Sequence, residues 1–290
     1  MKKSIYILAI LVFALSCAKT PAESSPSDEM VLTPVHPSSG TRVTETGFES
    51  GDQVGVYITR YSDGVPTPLQ IGGNEGSNLT LTLQGSSWQL DPKVYWGDGQ
   101  YDIYGYYPKG DVSSVDALPF RVAEDQNLSG GMSTEGAYER SDFLWAKAEG
   151  VTRTGTVPLV FKHRMCKVSV HLAKGQDYEG DLPTDAAVYI HNTVTLAYID
   201  LATGDVIKDS HEQARSIRAR KTAPNHFEAI VVPQRISNRV PLVEVVCGQV
   251  SYLFESTVIF KSGTVHSISI TLSDNPEKVA ITIGGEVDNW

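Results

Sequence analysis

Histidines are the residues of this 290-residue chain best suited to metal or acid–base chemistry. His163 and His171 are eight residues apart in an apolar stretch, so a strand would place them on one face but too far apart to share a metal ion. Among apolar neighbours, His163 is interpreted as a hydrogen-bonded packing residue. Neither the HExxH motif of zinc proteases nor the GxSxG motif of serine hydrolases occurs. We therefore expect no catalytic residue, metal site or cofactor, and predict that the protein is not an enzyme.

Loop carboxylates and a glycine-rich segment also have ordinary structural explanations. The glycine-rich segment 72–76 is not followed by a helix that could direct its N-terminus at a phosphate, and is interpreted as a hairpin loop. The aspartates of the predicted loops lack the dense, regular spacing of a calcium-binding loop. They are therefore expected to be solvated turn residues: Asp91, Asp98, Asp102, Asp111 and Asp116.

An aromatic cluster extends from Tyr95 to Tyr107. Flat rings can stack on sugars, so Trp96, Tyr101 and Tyr104 are candidates for a glycan-binding surface. Alternating rings in a strand more often fill a hydrophobic core, and this second interpretation is favoured. Whether these rings face the core or the solvent separates the two.

Two cysteines, Cys166 and Cys247, lie inside apolar segments. In an exported protein such a pair could form a disulfide. Free cysteine in an apolar run also behaves as a small hydrophobic residue. Two buried thiols are the favoured prediction, with the disulfide as the alternative.

The N-terminus predicts an exported lipoprotein. Lys2 and Lys3 precede an apolar run at 5–15 that is too short for a membrane-spanning helix, and residues 1–16 are therefore interpreted as a signal peptide. The sequence Ala14-Leu15-Ser16-Cys17 resembles the bacterial lipobox, which makes Cys17 the predicted lipid-modified residue and would anchor the chain stably through its acyl chains. Residues 17–29 would form the lipidated cysteine and a flexible tether rich in serine, proline and glutamate. An ordinary signal peptide with an incidental cysteine is the alternative.

The overall charge argues against a nucleic-acid partner. The formal net charge is −10, the sequence pI is about 5.2, and basic residues are not clustered. Binding to nucleic acid requires a field of lysine and arginine that neutralises phosphates.

The remaining sequence predicts an all-β protein of two domains. Apolar and polar residues alternate with a period of two, and turn sequences separate these segments, which is typical of antiparallel β-sandwiches. A polar, turn-rich segment at 176–184 is the predicted linker, giving an N-terminal β-sandwich domain at 30–175 and a C-terminal one at 184–290. The clearest alternating segments are 54–58, 79–83, 168–172, 268–272 and 279–283.

A series of motifs follows one another along the chain. They are Phe48-x-x-Gly51-Asp52-x-x-Gly55-Val56-Tyr57, Trp88 with Val94-Tyr95-Trp96 and 101–108, Asp142-Phe143-Leu144-Trp145-Ala146, 159–168, Asp200-Leu201-Ala202-Thr203-Gly204, Ile230-Val231-Val232-Pro233-Gln234 and Phe260-x-x-Gly263. In this order they resemble the motifs of the fimbrillin family, also called Mfa-like proteins or type V pilins. The resemblance extends over about 28–290, with Gly97 where the family has proline and Cys166 where it usually has serine.

The resemblance implies two tandem transthyretin-like sandwiches in a subunit of a surface fimbria. Such a subunit is exported as a palmitate-bearing lipoprotein of the outer membrane, and its partners are other fimbrial subunits, with host or bacterial surface ligands as further candidates. In this family a trypsin-like protease cuts after an arginine and removes the first strand, and a strand of a neighbouring subunit fills the groove. Arg42 and Val43 stand at the matching position, and residues 30–36 would be the displaced strand. An ordinary loop arginine is the alternative, since anchor subunits of the family can escape cleavage.

Two further points stay open at this stage. The C-terminal segment 278–290 could be a donor strand for a neighbouring subunit or the closing strand of the second domain, and the closing strand is favoured. The function favoured is a structural or adhesive fimbrial subunit, and the alternative is a monomeric surface glycan-binding lipoprotein.

Overall fold

A computed structural model describes residues 28–37, 47–131, 136–274 and 279–288. Its regular structure is β almost throughout, with a 3-10 helix at Glu139–Ser141, so the prediction of an all-β fold is confirmed. The finer assignment to tandem transthyretin-like domains stays a prediction. The strands are β1 (Leu32–Val35), β2 (Gln53–Arg60), β3 (Gly76–Gln84), β4 (Ser87–Asp91), β5 (Tyr101–Tyr107), β6 (Leu118–Arg121), β7 (Leu144–Val151), β8 (Val157–Val160), β9 (Lys162–His163), β10 (Cys166–Lys174), β11 (Ala187–Thr193), β12 (Leu196–Ile199), β13 (Val206–Lys208), β14 (Arg215–Arg218), β15 (Arg220–Ala223), β16 (His226–Val231), β17 (Gln234–Cys247), β18 (Val250–Phe260), β19 (Thr264–Leu272) and β20 (Ala280–Asp288).

The first half of the chain is built on a six-stranded antiparallel sheet, in the order β4-β3-β2-β5-β7-β9. Its central strands β2 and β5 are buried along nearly their whole length because both faces of the sheet are covered. On one face, Val56 and Ile58 pack under the two-stranded pair of β1 and β8. On the other face, Tyr57 and Tyr106 join the core of the second half. The sheet is therefore a middle layer.

The second half is a sandwich of two sheets. The five-stranded sheet has the order β15-β16-β10-β19-β20, and the four-stranded sheet has the order β14-β11-β17-β18. Val168 and Ile270 from the first sheet share one buried cluster with Ile190 and Val243 from the second. Most pairs are antiparallel, as predicted, but β10 runs parallel to β19, as β1 does to β8.

The strand β10 lies at the end of the predicted first domain and pairs with strands of the predicted second domain. The predicted first domain ends at 175, yet β10 is the central strand of the five-stranded sheet and pairs with β16 and β19. Only Arg164 and Met165 separate β10 from β9, the last strand of the first sheet. The polar segment 176–184 is a loop between β10 and β11, because a polar composition identifies a turn but not the sheets that it joins.

A small three-stranded sheet, in the order β13-β12-β6, connects the two halves. Its strand β6 comes from the first half of the sequence and pairs antiparallel with β12 of the second. Leu118 and Ile199, which face each other in this pair, both belong to the larger hydrophobic cluster. The two halves therefore share a core as well as a covalent connection.

Cys166 and Cys247 are free thiols, in agreement with the favoured prediction. Cys166 is fully buried, whereas Cys247, at the end of β17, is only partly buried. Burial raises the pKa of the Cys247 thiol.

Within the part of the chain that is described, no helix has the length and apolar character needed to cross a membrane.

Candidate functional site: the seat of strand β1

The segment 28–35 is inserted as a strand between two other segments of the first half. On one side the Met30 amide donates to the Val94 carbonyl at 2.8 Å, and the Trp96 amide donates to the Asp28 carbonyl at 2.6 Å. On the other side β1 runs parallel to β8, with Leu32 opposite Val157 and Val35 opposite Val160. We refer to the surroundings of residues 28–36 as the seat of β1.

The side chains of this segment alternate between the core and the solvent. Met30 and Leu32 are 1% and 2% exposed, and Pro34 is also buried. Val31 is 36% exposed and Thr33 is exposed. Burying a side chain the size of methionine or leucine stabilises a fold by about 1.5–3 kcal/mol, so the inward residues hold β1 in place.

Charged residues at the start of the segment add little to the stability with which it is held in place. Asp28 pairs with Arg153 at 2.9 Å, and Glu29 pairs with Lys93 at 2.8 Å. These pairs are largely exposed, and ion pairs of that kind contribute about 0–1 kcal/mol. Apolar burial and backbone hydrogen bonds therefore account for most of the binding of β1.

An aromatic cluster closes the end of the seat. The ring centroids of His36 and Phe48 are 5.0 Å apart, in an edge-to-face arrangement. The Phe48 ring also packs against the rings of Trp88, Tyr107 and Phe161, with centroid distances of 5.2–5.5 Å. The site therefore gathers aromatic residues that the sequence analysis found in separate motifs.

His163 lies beside this cluster and is hydrogen-bonded, as predicted. It is buried, and its Nδ1 lies 2.7 Å from Oδ2 of Asp142. The His36 ring is 6.0 Å from the His163 ring. Burial first, and repulsion from His163 second, lower the pKa of His36 to about 4, while Asp142 acts in the opposite direction.

The predicted modification and processing residues Cys17, Arg42 and Val43 lie outside the described residues. Arg42 and Val43 fall in the segment between His36 and Phe48, whose rings are in contact. Along the chain, the predicted cleavage point therefore separates β1 from all later strands.

The proposed glycan-facing rings are part of the core. Trp96, Tyr101 and Tyr104 are 5%, 0% and 6% exposed. Trp96 and Tyr101 pack edge to face at 5.6 Å, and the Lys147 ammonium lies 5.2 Å from the centre of the Tyr104 ring. Their ring faces are therefore not available to a sugar at the surface, which agrees with the core interpretation.

A hydrogen-bonded chain across the four-stranded sheet was not found by sequence reasoning. His191 on β11 is 2.7 Å from the Ser216 hydroxyl of β14 through Nδ1, and 2.9 Å from the Glu244 carboxylate of β17 through Nε2. Ser251 of β18 donates to the other oxygen of Glu244. The hydrogen bond from Ser251 is the main cause that lowers the pKa of Glu244, and His191 adds to it.

The four hydrogen-bonded residues come one from each strand, and three of them, Ser216, His191 and Glu244, line a surface pocket of about 300 Å³. Serine, imidazole and carboxylate also occur in this order in hydrolase triads. Here a second serine, Ser251, shares the carboxylate, so the arrangement fits a clamp that ties the four strands together. Only the register of the strands brings these residues together, and their spacing in the sequence carries no signal.

In the described ranges, no group of three or more histidine, cysteine, aspartate or glutamate side chains is arranged to hold a metal ion.

Solved structures of similar fold come from species of Bacteroides and Porphyromonas. A "putative cell adhesion protein" from Bacteroides ovatus has a TM-score of 0.66 and 18% identity, over 90% of this chain and 96% of that chain. Another protein so described, from Bacteroides uniformis, has a TM-score of 0.65 and 18% identity, over 90% and 97% of the two chains. The tip fimbrial protein Mfa3 from Porphyromonas gingivalis, solved with a C-terminal truncation, has a TM-score of 0.51 and 10% identity, over 83% and 95%. At these identities the likeness concerns the fold.

A comparison with curated proteins gives no match. The fimbrillin-like family matches residues 41–290, a range that contains all the described strands except β1. This match covers most of the chain and agrees with the motifs that converge around Phe48. The chain therefore belongs to the fimbrillin-like family.

Proposed function

We propose that this protein is a structural or adhesive subunit of a cell-surface fimbria that assembles by proteolysis-triggered strand exchange. Membership of the fimbrillin-like family supports a fimbrial subunit and a structural rather than enzymatic role. The seat of β1 is the observation that carries the finer proposal. It combines an N-terminal strand, backbone hydrogen bonds on both sides and inward apolar residues.

The physical basis is the cost of an empty seat. Loss of residues 28–36 would leave the backbone groups of Val94, Trp96 and Val157 without their partners and would expose the surfaces that cover Met30 and Leu32. An extended segment with alternating apolar residues restores both types of contact, which is the general basis of strand addition. Cleavage after Arg42 would separate β1 covalently from the remaining strands and allow such a replacement.

Export as a lipoprotein is the second part of the proposal. Cys17 would carry the acyl chains in the outer membrane, and residues 18–29 would connect them to β1. As long as Arg42 is intact, the anchor and the folded protein form one chain. Cleavage would leave the anchor attached only to β1, so processing would both open the seat and release the subunit from its own anchor.

The monomeric glycan-binding lipoprotein is the weaker alternative. It depends on exposed aromatic rings, and Trp96, Tyr101 and Tyr104 are buried.

N-terminal analysis of the protein recovered from the cell surface tests the proposal. Assembled protein is expected to begin at Val43, and the membrane-bound precursor is expected to begin at lipid-modified Cys17. Cys17→Ala is expected to abolish palmitate incorporation. Surface protein found only with its N-terminus at Cys17, or unchanged palmitate labelling of Cys17→Ala, would contradict the corresponding step.

A further inference from the structure

Two histidines form a directly opposed pair on the five-stranded sheet. His171 of β10 faces His226 of β16 in the antiparallel register. Their ring centroids are 4.4 Å apart, with 47° between the ring planes.

The backbone hydrogen bonds show which type of pair this is. The Leu172 amide donates to the Asn225 carbonyl at 2.9 Å, which means that the bond is made by the residues flanking His171 and His226. In antiparallel sheets, residues flanked in this way form the non-hydrogen-bonded pair, whose Cα atoms are only about 4.5 Å apart and whose side chains lie closest. Two imidazoles are therefore held side by side by two strands, one of which is the central strand of the sheet.

Both rings are available to a ligand. His226 is exposed and His171 is partly exposed. In the part of the chain that is described, neither ring takes part in a hydrogen bond or an ion pair. The neutral imidazole is the form that binds metals, so binding is expected to weaken as the pH falls.

We propose that His171 and His226 form a bidentate site for a divalent transition metal ion of the Cu²⁺, Ni²⁺ or Zn²⁺ type. Imidazole nitrogen is a preferred ligand of these ions, and Cu²⁺ is expected to bind most tightly of the three. Water completes the coordination shell, which makes the site exchangeable rather than structural.

The carboxylate of Glu228 is engaged by other groups, so the proposed site has two histidine ligands and no carboxylate ligand. Glu228 is two residues from His226 on β16, but its carboxylate lies 3.3 Å from the Lys167 ammonium and 3.3 Å from the Tyr138 hydroxyl. Its other close partner is the Arg220 guanidinium, at 3.7 Å. These contacts direct Glu228 to cations and a hydroxyl on the same sheet face rather than to the histidine pair.

The bound ion would also connect β10 and β16. Because the pair exists only in the folded sheet, a metal that binds it stabilises the folded state in proportion to the logarithm of its concentration above the dissociation constant. The melting temperature should therefore rise with the concentration of Cu²⁺ or Zn²⁺.

Titration of the untagged protein with CuCl₂ and ZnCl₂ at pH 7.5 tests the proposal, using calorimetry for affinity and electron paramagnetic resonance of Cu²⁺ for nitrogen coordination. One equivalent of Cu²⁺ is expected to bind with two nitrogen ligands. His171→Gln and His226→Gln are each expected to weaken binding at least tenfold and to remove the metal-dependent rise in melting temperature.

His211→Gln is the matched control because His211 has a 95% exposed side chain and is not a member of the pair. It is expected to bind as the unmodified protein does. Circular dichroism checks that each variant folds. Binding of equal strength in the unmodified protein and in a folded His171→Gln variant, or no binding of Cu²⁺ to the unmodified protein, would overturn the proposal.

Discussion

His36 makes the seat of β1 sensitive to pH. With β1 in place the pKa of His36 is about 4, whereas a solvated histidine titrates near 6.5. The unfolded or undocked segment therefore binds more protons than the folded one between these two values. Stability that depends on neutral His36 is fully present above about pH 6.5 and is lost as the pH falls toward 4. The groups that face this ring are His163, which opposes protonation, and Asp142, which favours it.

We predict that His36→Gln reduces the loss of stability between pH 7.5 and pH 5.0. The contribution of His36 at pH 5 has an upper limit of about 2 kcal/mol, and the partial exposure of the ring reduces it. Urea unfolding at the two pH values measures the difference. His211→Gln, at an exposed histidine, should retain the pH dependence of the unmodified protein. An identical pH dependence in His36→Gln would show that the ring does not titrate with β1.

Gly55 and Gly105, two glycines of the motifs shared with the fimbrillin family, lie against aromatic rings, a reason for glycine that the sequence alone does not show. A Cβ atom on Gly55 would lie 2.0 Å from Cε1 of Tyr106, and one on Gly105 would lie 2.8 Å from Cζ of Phe161. Each glycine therefore leaves room for an aromatic ring, that of Tyr106 on the neighbouring strand β5 or that of Phe161 between β8 and β9. The motifs could be read from the sequence, but the first contact depends on the register of β2 and β5, and the second depends on the packing of Phe161 over the sheet.

At the scale of elements, β1 is the strand on which the proposed function depends. Leu32, the first residue of β1, faces inward, and Val31, just before it, faces outward, so the two can be compared directly. The two residues share the same backbone environment but differ in exposure, at 2% and 36%.

Leu32→Ala is predicted to destabilise the seat by roughly 2–4 kcal/mol, because it removes a buried side chain and leaves a cavity. Val31→Ala should cost less than about 1 kcal/mol. Limited proteolysis and urea unfolding of the intact chain measure both effects. Equal sensitivity of the two variants would contradict the placement of Leu32 in the core.

The C-terminal segment forms strand β20 in this structure, an arrangement that fits the favoured interpretation as a closing strand. It pairs antiparallel with β19 at the edge of the five-stranded sheet, with Ile281 opposite Ile270 and Ile283 opposite Ile268. Ile281 packs against the core, whereas Ile283 is 37% exposed. In this structure the segment therefore forms the edge strand of the five-stranded sheet, and the side chain of Ile283 on it is only partly covered.

Truncation after residue 278 is predicted to lower the melting temperature of the isolated protein by several degrees, since the truncated chain loses a strand that pairs with β19. Thermal unfolding followed by circular dichroism measures this. An unchanged melting temperature, together with loss of assembly, would instead identify β20 as a donor strand.

The strands that could be predicted from the sequence are mainly those with a local alternation of apolar and polar residues. Period-two alternation located β2, β3, β10 and β19, whereas the strand at 30–36 was implied by the family resemblance. The parallel pairing of β1 with β8 could not be predicted, because the paired residues are more than a hundred positions apart in the sequence. The partners of β10 could not be predicted for a similar reason, since no turn signal distinguishes a strand that changes sheets from one that continues.

At the scale of the whole molecule, the six-stranded sheet separates the seat of β1 from the second half. Its one face packs against β1 and β8, and its other face contributes Tyr57 and Tyr106 to the shared core with the second half. Loss of β1 therefore exposes one face of the molecule while the other core is kept. In the proposed strand exchange, this separation would let a subunit lose β1 while the core of the second half stays intact.

The period-two alternation along the chain predicted the all-β class, and the net charge argued against a nucleic-acid partner, because both are properties of the sequence itself. They could not predict the chain of Ser216, His191, Glu244 and Ser251, or the opposed pair of His171 and His226. Both constellations depend on the registers between strands that are distant in sequence. The prediction of processing at Arg42 came from the family resemblance, since a single arginine carries no physical signal of its own.

The size of the protein in solution before and after cleavage at Arg42 tests strand exchange most directly. An Arg-specific protease is applied to the intact chain, residues up to Arg42 are removed, and native mass spectrometry records the product. We predict a monomer before cleavage and assemblies of chains that begin at Val43 after removal of β1. Arg42→Lys, which keeps the charge but resists this protease, should stay monomeric. A chain that begins at Val43, has lost β1 and remains a folded monomer at the same concentration would contradict the proposed mechanism.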